Sequence, residues 1–245
     1  MNKASSKRLL TLVEEILEQE KRAKELYEEY IRRIEDSSIV KGLRLILDDE
    51  KRHITLASEV LGLIKYGSRY SRVKNGLNKF SETMSTLISC GIENYLKVNM
   101  IVLKNLVNEK GFKCIYVAVN KPVSSLVDAF RREGVDTEKL SFIECTTVGT
   151  ETEKRILVKP DNLTDVSVRI SRLIRATSGR KFIYLDAIST LYVFNPDKKV
   201  ERFAHHLVSN ARLKRTGLIL IVVNEEIENR SIAVLTTFCD NRIEL

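Results

Sequence analysis

No run of about 18 apolar residues occurs in this chain of 245 residues, so no segment reads as a transmembrane helix. Nor does the start resemble a signal peptide, because Met1-Asn2-Lys3 leads straight into an amphipathic stretch. The expectation is a soluble, cytoplasmic protein with no membrane partner. Cysteine is scarce: Cys90, Cys114, Cys145 and Cys239 are not spaced as C-x-x-C. The first three fall in or at the end of strand-like apolar runs, where a free thiol behaves as a small buried hydrophobe. That pattern argues against a disulfide framework and against a zinc site. Glutamine occurs once, at Gln19, while 30% of the residues are charged, a balance typical of thermophile surfaces. No DNA- or RNA-binding motif accompanies the charge.

What is present begins with an uneven charge distribution. The net charge is +8 from 41 Lys/Arg and 33 Asp/Glu. Residues 1–65 carry 13 of each and are neutral, which leaves 28 basic and 20 acidic residues for the remainder. Half of that excess lies between Tyr66 and Phe80. The expected organisation is a helical hairpin over 1–65, a basic linker over 66–80 and an α/β domain over 81–245.

Two long helices are expected over 6–34 and 38–64, with Asp36-Ser37-Ser38 as turn and N-cap. One seam runs Leu9, Val13, Ile16, Glu20, Ala23, Tyr27, Tyr30, Ile34. The other runs Ile39, Leu43, Ile46, Glu50, His53, Ala57, Val60, Ile64. Both alternate steps of four and three, the pattern of antiparallel helices packed along their length. Glu20 and Glu50 are equidistant from the turn near residue 35 and meet at one level. His53 follows Glu50 at i, i+3. Burying such carboxylates costs several kcal/mol unless they are paired or bind a metal.

The pieces Glu20-x-x-Ala23-x-x-x-Tyr27 and Glu50-Lys51-Arg52-His53 resemble the ferritin-like, rubrerythrin-like family. That resemblance implies half of a two-metal site in a four-helix bundle, with Glu20, Glu50 and His53 as ligands of iron or manganese, zinc being possible. It also implies a homodimer that pairs two hairpins. The plainer reading is a dimerisation arm whose Glu and His bond to each other and to Lys or Arg. Over 65–80, five basic residues with Tyr66, Tyr70 and Phe80 have the composition of a nucleic-acid grip. A solvated connector fits the same residues.

From Met84 onward, strand-like and helix-like segments alternate, which predicts a mainly parallel sheet with helices on both faces. Expected strands are 84–90, 113–120, 140–145, 182–186, 218–223 and 242–245. The central one ends Ile183-Tyr184-Leu185-Asp186, and an acid at that end of a buried parallel strand sits where such sheets bind ligands. The order of Ile115-Tyr116-Val117-Ala118-Val119-Asn120, Gly134-Val135-Asp136-Thr137, Ile183-Tyr184-Leu185-Asp186-Ala187-Ile188-Ser189 and Cys239-Asp240-Asn241-Arg242-Ile243-Glu244-Leu245 resembles the RecA-like, KaiC-like branch of P-loop ATPases, over about residues 70–245.

That resemblance implies a nucleotide site built from Gly91, Lys97 and Asp186, the last as magnesium ligand. The loop is degenerate. Against G-x-x-x-x-G-K-[ST], it reads Gly91-Ile92-Glu93-Asn94-Tyr95-Leu96-Lys97-Val98. Leu96 replaces the second glycine, Val98 replaces the hydroxyl that binds magnesium, and Glu93 adds a negative charge facing the phosphates. Asn120 stands where the resemblance implies a glutamate base. His205 and His206 are adjacent on a helix and point about 100° apart. Lys198, Lys199, Arg202, Arg212, Lys214 and Arg215 read as a solvated basic face of that helix.

Three functions follow as expectations. The first is a non-hydrolysing RecA/KaiC-like binding or assembly module, dimerised by its hairpin, with nucleotide binding in question. The second is a di-metal redox or sensor protein. The third is a nucleic-acid-binding protein using the basic linker and the basic helix that carries Lys198 to Arg215.

Overall fold

The three-residue break at residues 34–36 folds the first two helices into a hairpin. The computed structural model describes residues 3–146, 151–152 and 155–245. Helix α1 spans Lys3–Arg33 and α2 spans Ser37–Tyr66. Asp36 caps α2, its carboxylate accepting the backbone N–H groups of Ser38 at 2.8 Å and Ile39 at 3.0 Å. Gly67 ends α2 at φ +64°, a conformation that favours glycine.

The seam between the two helices is shifted from the expected one. Val13, Leu17 and Leu47 are buried, whereas Ile16, Ile46 and Val60 remain 41–44% exposed. The apolar stripe on each helix is wider than one partner can cover, so packing buries one edge of it and leaves the other outward.

Helix α3, Ser68–Gly76, occupies the stretch expected as a linker without helical periodicity. The chain divides into two compact units between Ser71 and Arg72, within α3. Tyr66, Tyr70 and Phe80 are all buried, and Lys74 pairs with Glu109 at 3.4 Å. The aromatic rings of this segment are therefore spent on packing and are not free to stack on bases.

The second unit holds strands β1 Ser85–Cys90, β2 Lys113–Ala118, β3 Leu140–Cys145, β4 Arg155–Val158, β5 Lys181–Asp186, β6 Gly217–Val223 and β7 Asn241–Glu244. Its longer helices are α4 Tyr95–Leu103, α5 Val123–Arg132, α6 Leu163–Ala176, α8 Asp197–Leu213 and α9 Asn229–Phe238, with a single turn, α7 Leu191–Phe194. A π-helical segment, Lys104–Glu109, continues α4. The sheet order is β4-β3-β2-β5-β6-β1-β7, and every pair is parallel.

Alternation along the central strands divides the core by side-chain type. Ile115, Val117, Ile183, Leu185, Leu218 and Leu220 form one aliphatic cluster with α6, α8 and α9. Tyr116, Phe182 and Tyr184 point the other way. There Tyr116 stacks on Tyr184 at 5.0 Å and meets Phe130 of α5 edge-on at 5.4 Å. Asp186, two residues beyond Tyr184, continues on this aromatic face. Ala118 pairs with Asp186 and Cys90 with Val223, so β1, β2, β5 and β6 end along one sheet edge. Every strand expected from sequence is present. β4 is additional, a four-residue edge strand too short to announce itself by pattern.

Candidate functional site

At the carboxyl edge of the sheet, β1 turns into α4 through Gly91-Ile92-Glu93-Asn94. The N–H of Asn94 closes this turn on the Gly91 carbonyl at 2.9 Å. The Glu93 carboxylate folds back over Gly91, so that a Cβ there would lie 2.6 Å from Glu93 Oε2. Asn94 Nδ2 donates to Glu93 Oε1 at 2.5 Å. The Ile92 N–H donates to Glu225 Oε2 at 3.1 Å. Two carboxylates of the chain itself thus lie against this turn. Leu96 and Lys97 are exposed in the first turn of α4, and Val98 is wholly buried.

Asp186 lies beneath α4 and is completely buried. The Tyr116 hydroxyl donates to its Oδ2, and Asn99 Nδ2 donates to its Oδ1 at 3.3 Å. Tyr184 in turn donates to Asn99 Oδ1 at 2.7 Å. Burial raises the Asp186 carboxyl to about 6, against the opposing pull of the hydrogen bonds from Tyr116 and Asn99. The Tyr95 hydroxyl is buried with no hydrogen-bond partner in acceptable geometry. Its own pKa is raised by burial and then by Asp186, which places it beside that carboxylate. Asp186 is thus enclosed by tyrosines and an asparagine.

The neighbouring acid Glu226 accepts from Ser189 Oγ at 2.7 Å and lies 2.8 Å from Thr190 Oγ1. Asn120 Nδ2 is 3.5 Å away. Cys90, buried at the same edge, registers the local field. Burial pushes its thiol up to about 12, with further contributions from Glu225, Asp186, Glu93 and Glu226 in that order. The edge is negative, the opposite of a phosphate-binding cradle.

Of the expected nucleotide residues, Gly91 and Asp186 fall along one edge, and Lys97 is solvent-facing at the start of α4. Sequence reading missed Glu225, Glu226, Tyr116, Tyr184 and Asn99. Paired acids immediately after the buried strand β6 were a legible signal. The tyrosines and Asn99 were not, because only the register of β2 on β5 and the placement of α4 bring them together.

The hairpin holds a second cluster. One ligand atom from each of Glu20, Glu50 and His53 falls within 4.8 Å of the others. His53 Nδ1 is 3.6 Å from Glu20 Oε2 and 3.7 Å from Glu50 Oε2. The Glu50 carboxyl is raised, first by its hydrogen bond with Glu20, then by burial and the Glu20 charge, with His53 pulling the other way. Two carboxylates beside an imidazole are a donor set suited to a divalent cation. The groove above them is lined by Ile16, Leu56 and Val60, which belong to the outward apolar stripe.

Comparison with known proteins fits this architecture. A family described as being of unknown function, DUF7504, matches residues 105–245, and the chain belongs to that family. No curated protein matches. Among solved structures, a KaiC-like protein from the hyperthermophilic archaeon Pyrococcus horikoshii is similar, with a TM-score of 0.52 and 14% sequence identity over 68% of this chain and 72% of that one. The likeness establishes a RecA-like, KaiC-like fold. The family match starts beyond Lys97, so neither the altered loop nor the hairpin is part of it. No helix among the described residues is long and apolar enough to cross a membrane.

Proposed function

We propose that this chain is a non-hydrolysing RecA/KaiC-like module that serves assembly and joins a second copy through the outward apolar face of its hairpin. The observation that carries the first part is the occupied loop: Glu93 and Glu225 fill the cradle, and Asp186 is engaged by Tyr116 and Asn99. A magnesium-bound triphosphate would have to displace two carboxylates and enter a field set by four. The second part is supported by the stripe through Ile16, Ile46 and Val60, half exposed on a two-helix element that cannot cover it alone. Solution mass and ATP turnover of the full chain test both. A dimer is expected that Ile16→Glu with Val60→Glu converts to monomer, together with turnover at background. Robust hydrolysis abolished by Lys97→Ala refutes the first part, and a monomeric wild type refutes the second.

A second reading rests on the convergence of Glu20, Glu50 and His53. These residues would hold iron or manganese, and a bound metal would supply redox or sensing chemistry at the hairpin. Elemental analysis of purified protein decides it. About one metal per chain, lost in Glu50→Ala and His53→Ala, supports the reading; metal content unchanged by both substitutions excludes these ligands.

A further inference from the structure

Helices α6 and α8 lie side by side over the aliphatic face of the sheet. Ser171 Oγ of α6 accepts from Asn210 Nδ2 at 3.2 Å and from Lys214 Nζ at 3.0 Å, both at the end of α8. Together, residues 163–176 and 197–215 carry nine Lys/Arg and three Asp/Glu, and so account for most of the chain's +8. Asp165 is taken by Arg169 at 3.1 Å within α6. Arg212 is taken by Asp240 at 2.7 Å. Seven cations remain that pair with no carboxylate among the described residues: Arg172, Arg175, Lys198, Lys199, whose ammonium donates to the Asp161 carbonyl at 2.6 Å, Arg202, Lys214 and Arg215. All but Lys214, which is half-buried, are exposed.

Helix stability does not account for this arrangement. Lys198 sits in the first turn of α8, where the helix dipole disfavours a cation. Arg215 adopts φ +47° just beyond the end of α8, at a position where glycine is the unstrained choice. A non-glycine residue held there marks a place where the side chain itself is wanted.

We propose that the α6–α8 face binds the phosphodiester backbone of nucleic acid without reading its sequence. Helix α8 has 17 residues and is therefore about 25 Å long, so the cations at its start and those at its end are separated by the span of several phosphates. Neither helix presents an exposed Phe, Tyr or Trp ring: α6 has none, and Phe203 of α8 is buried. Of the exposed histidines of α8, His205 packs edge-on against Phe238 at 5.2 Å, so base stacking, and with it much of the sequence preference, is confined to His206. An acidic protein is the poorer fit. Protein interfaces centre on aromatic or apolar anchors and are depleted in lysine, and the exposed large apolar side chains on these helices are Val168 and Leu213 alone. The site is distinct from the loop at Gly91 and from the segment 65–80, whose rings are buried.

Fluorescence anisotropy with the full chain tests the proposal, using a labelled single strand, a duplex of equal length and a labelled polyglutamate as probes. Binding to one or both nucleic acids is expected at about 50 mM salt, weakening steeply toward about 200 mM, with a log–log slope reduced by about 1 for each cation removed. Arg172→Glu with Arg175→Glu is expected to lower affinity at least about tenfold at the lower salt. Arg131→Glu with Arg132→Glu, on α5 across the sheet, is expected to leave it unchanged. Both pairs are exposed, and circular dichroism verifies that each variant is folded. The relative affinity for single strand and duplex identifies the form bound. No binding at low salt, affinity indifferent to the α6 reversals, equal loss in the α5 variant, or polyglutamate binding as tightly as either nucleic acid each overturns the proposal.

Discussion

Replacing Asp186 by asparagine is expected to stabilise the α/β unit at neutral pH relative to pH 4. The carboxyl is completely buried, and its value rises from 3.8 to about 6. At about 1.36 kcal/mol per pKa unit, that difference is about 3 kcal/mol of folding free energy. The sign follows from the direction of the change. The folded state holds the proton more tightly than the unfolded chain, so stability from this group is full below about pH 4 and is lost as pH rises through about 6. The hydrogen bonds from Tyr116 and Asn99 favour the charged form, and burial still outweighs them. Asparagine does not titrate. The stability of Asp186→Asn minus that of wild type is therefore expected to grow by about 2.4 kcal/mol between pH 4 and pH 7.5. Urea unfolding measures it: with a slope of about 2 kcal/mol per molar, the midpoint difference grows by about 1.2 M. A constant difference across that range, or a variant weakened more at pH 7.5 than at pH 4, refutes the reasoning and makes the ionised carboxylate a wanted group.

Three smaller perturbations test other parts of the argument. Asp36→Ala removes the acceptor for the Ser38 and Ile39 N–H groups and is expected to cost the hairpin about 1 kcal/mol by thermal unfolding; an unchanged melting temperature would discount the cap. Two glycines of α2 should respond in opposite directions, because a Cβ at Gly62 would meet the Tyr70 ring at 2.4 Å whereas one at Gly42 meets nothing within 4 Å. Gly62→Ala is expected to destabilise by about 1–3 kcal/mol and Gly42→Ala to stabilise by about 0.5–1 kcal/mol, and the same sign for both would contradict the packing of Tyr70 on α2. Cys90, Cys114 and Cys145 are buried and Cys239 partly so, with burial pushing each thiol up. A thiol-reactive dye at pH 8 is expected to label none of them until the chain unfolds, and one rapidly labelled cysteine would show an open edge.

The sheet was legible because buried parallel strands are short, apolar and bounded by helix signals. Ile183-Tyr184-Leu185-Asp186 announces both a strand and its functional end. Strand β4 was not legible, since Arg155–Val158 offers four residues and gains its place only by pairing with β3. The hairpin seam was half legible. Heptad spacing identified a broad apolar stripe, but Leu17 is buried while Ile16 is half exposed, because spacing cannot say which edge of a wide stripe the partner covers. Glu20, Glu50 and His53 were legible as a group, since helix periodicity and distance from the turn determine their level. The enclosure of Asp186 was hidden, since Tyr116, Asn99 and Tyr184 come from three elements whose approach no local pattern encodes.

The altered loop raises the question of whether its glycine and hydroxyl positions alone separate it from a phosphate site. On the function proposed above, they do not. The Ile92 N–H, in an exposed turn, already donates to Glu225. Glu93 occupies the space over Gly91 in which a phosphate would lie. A polyphosphate against that turn faces like charges from Glu93 and Glu225, each repulsion worth about 1 kcal/mol in water and about 4 kcal/mol near a protein surface at a separation of about 4 Å. Leu96→Gly with Val98→Thr is therefore expected to leave inorganic phosphate and ATP binding undetectable by calorimetry. Adding Glu93→Gly and Glu225→Gln is expected to produce a measurable anion affinity that competes with chloride. Binding restored by the first pair alone would show that the carboxylates are bystanders, and that loop conformation by itself closed the site.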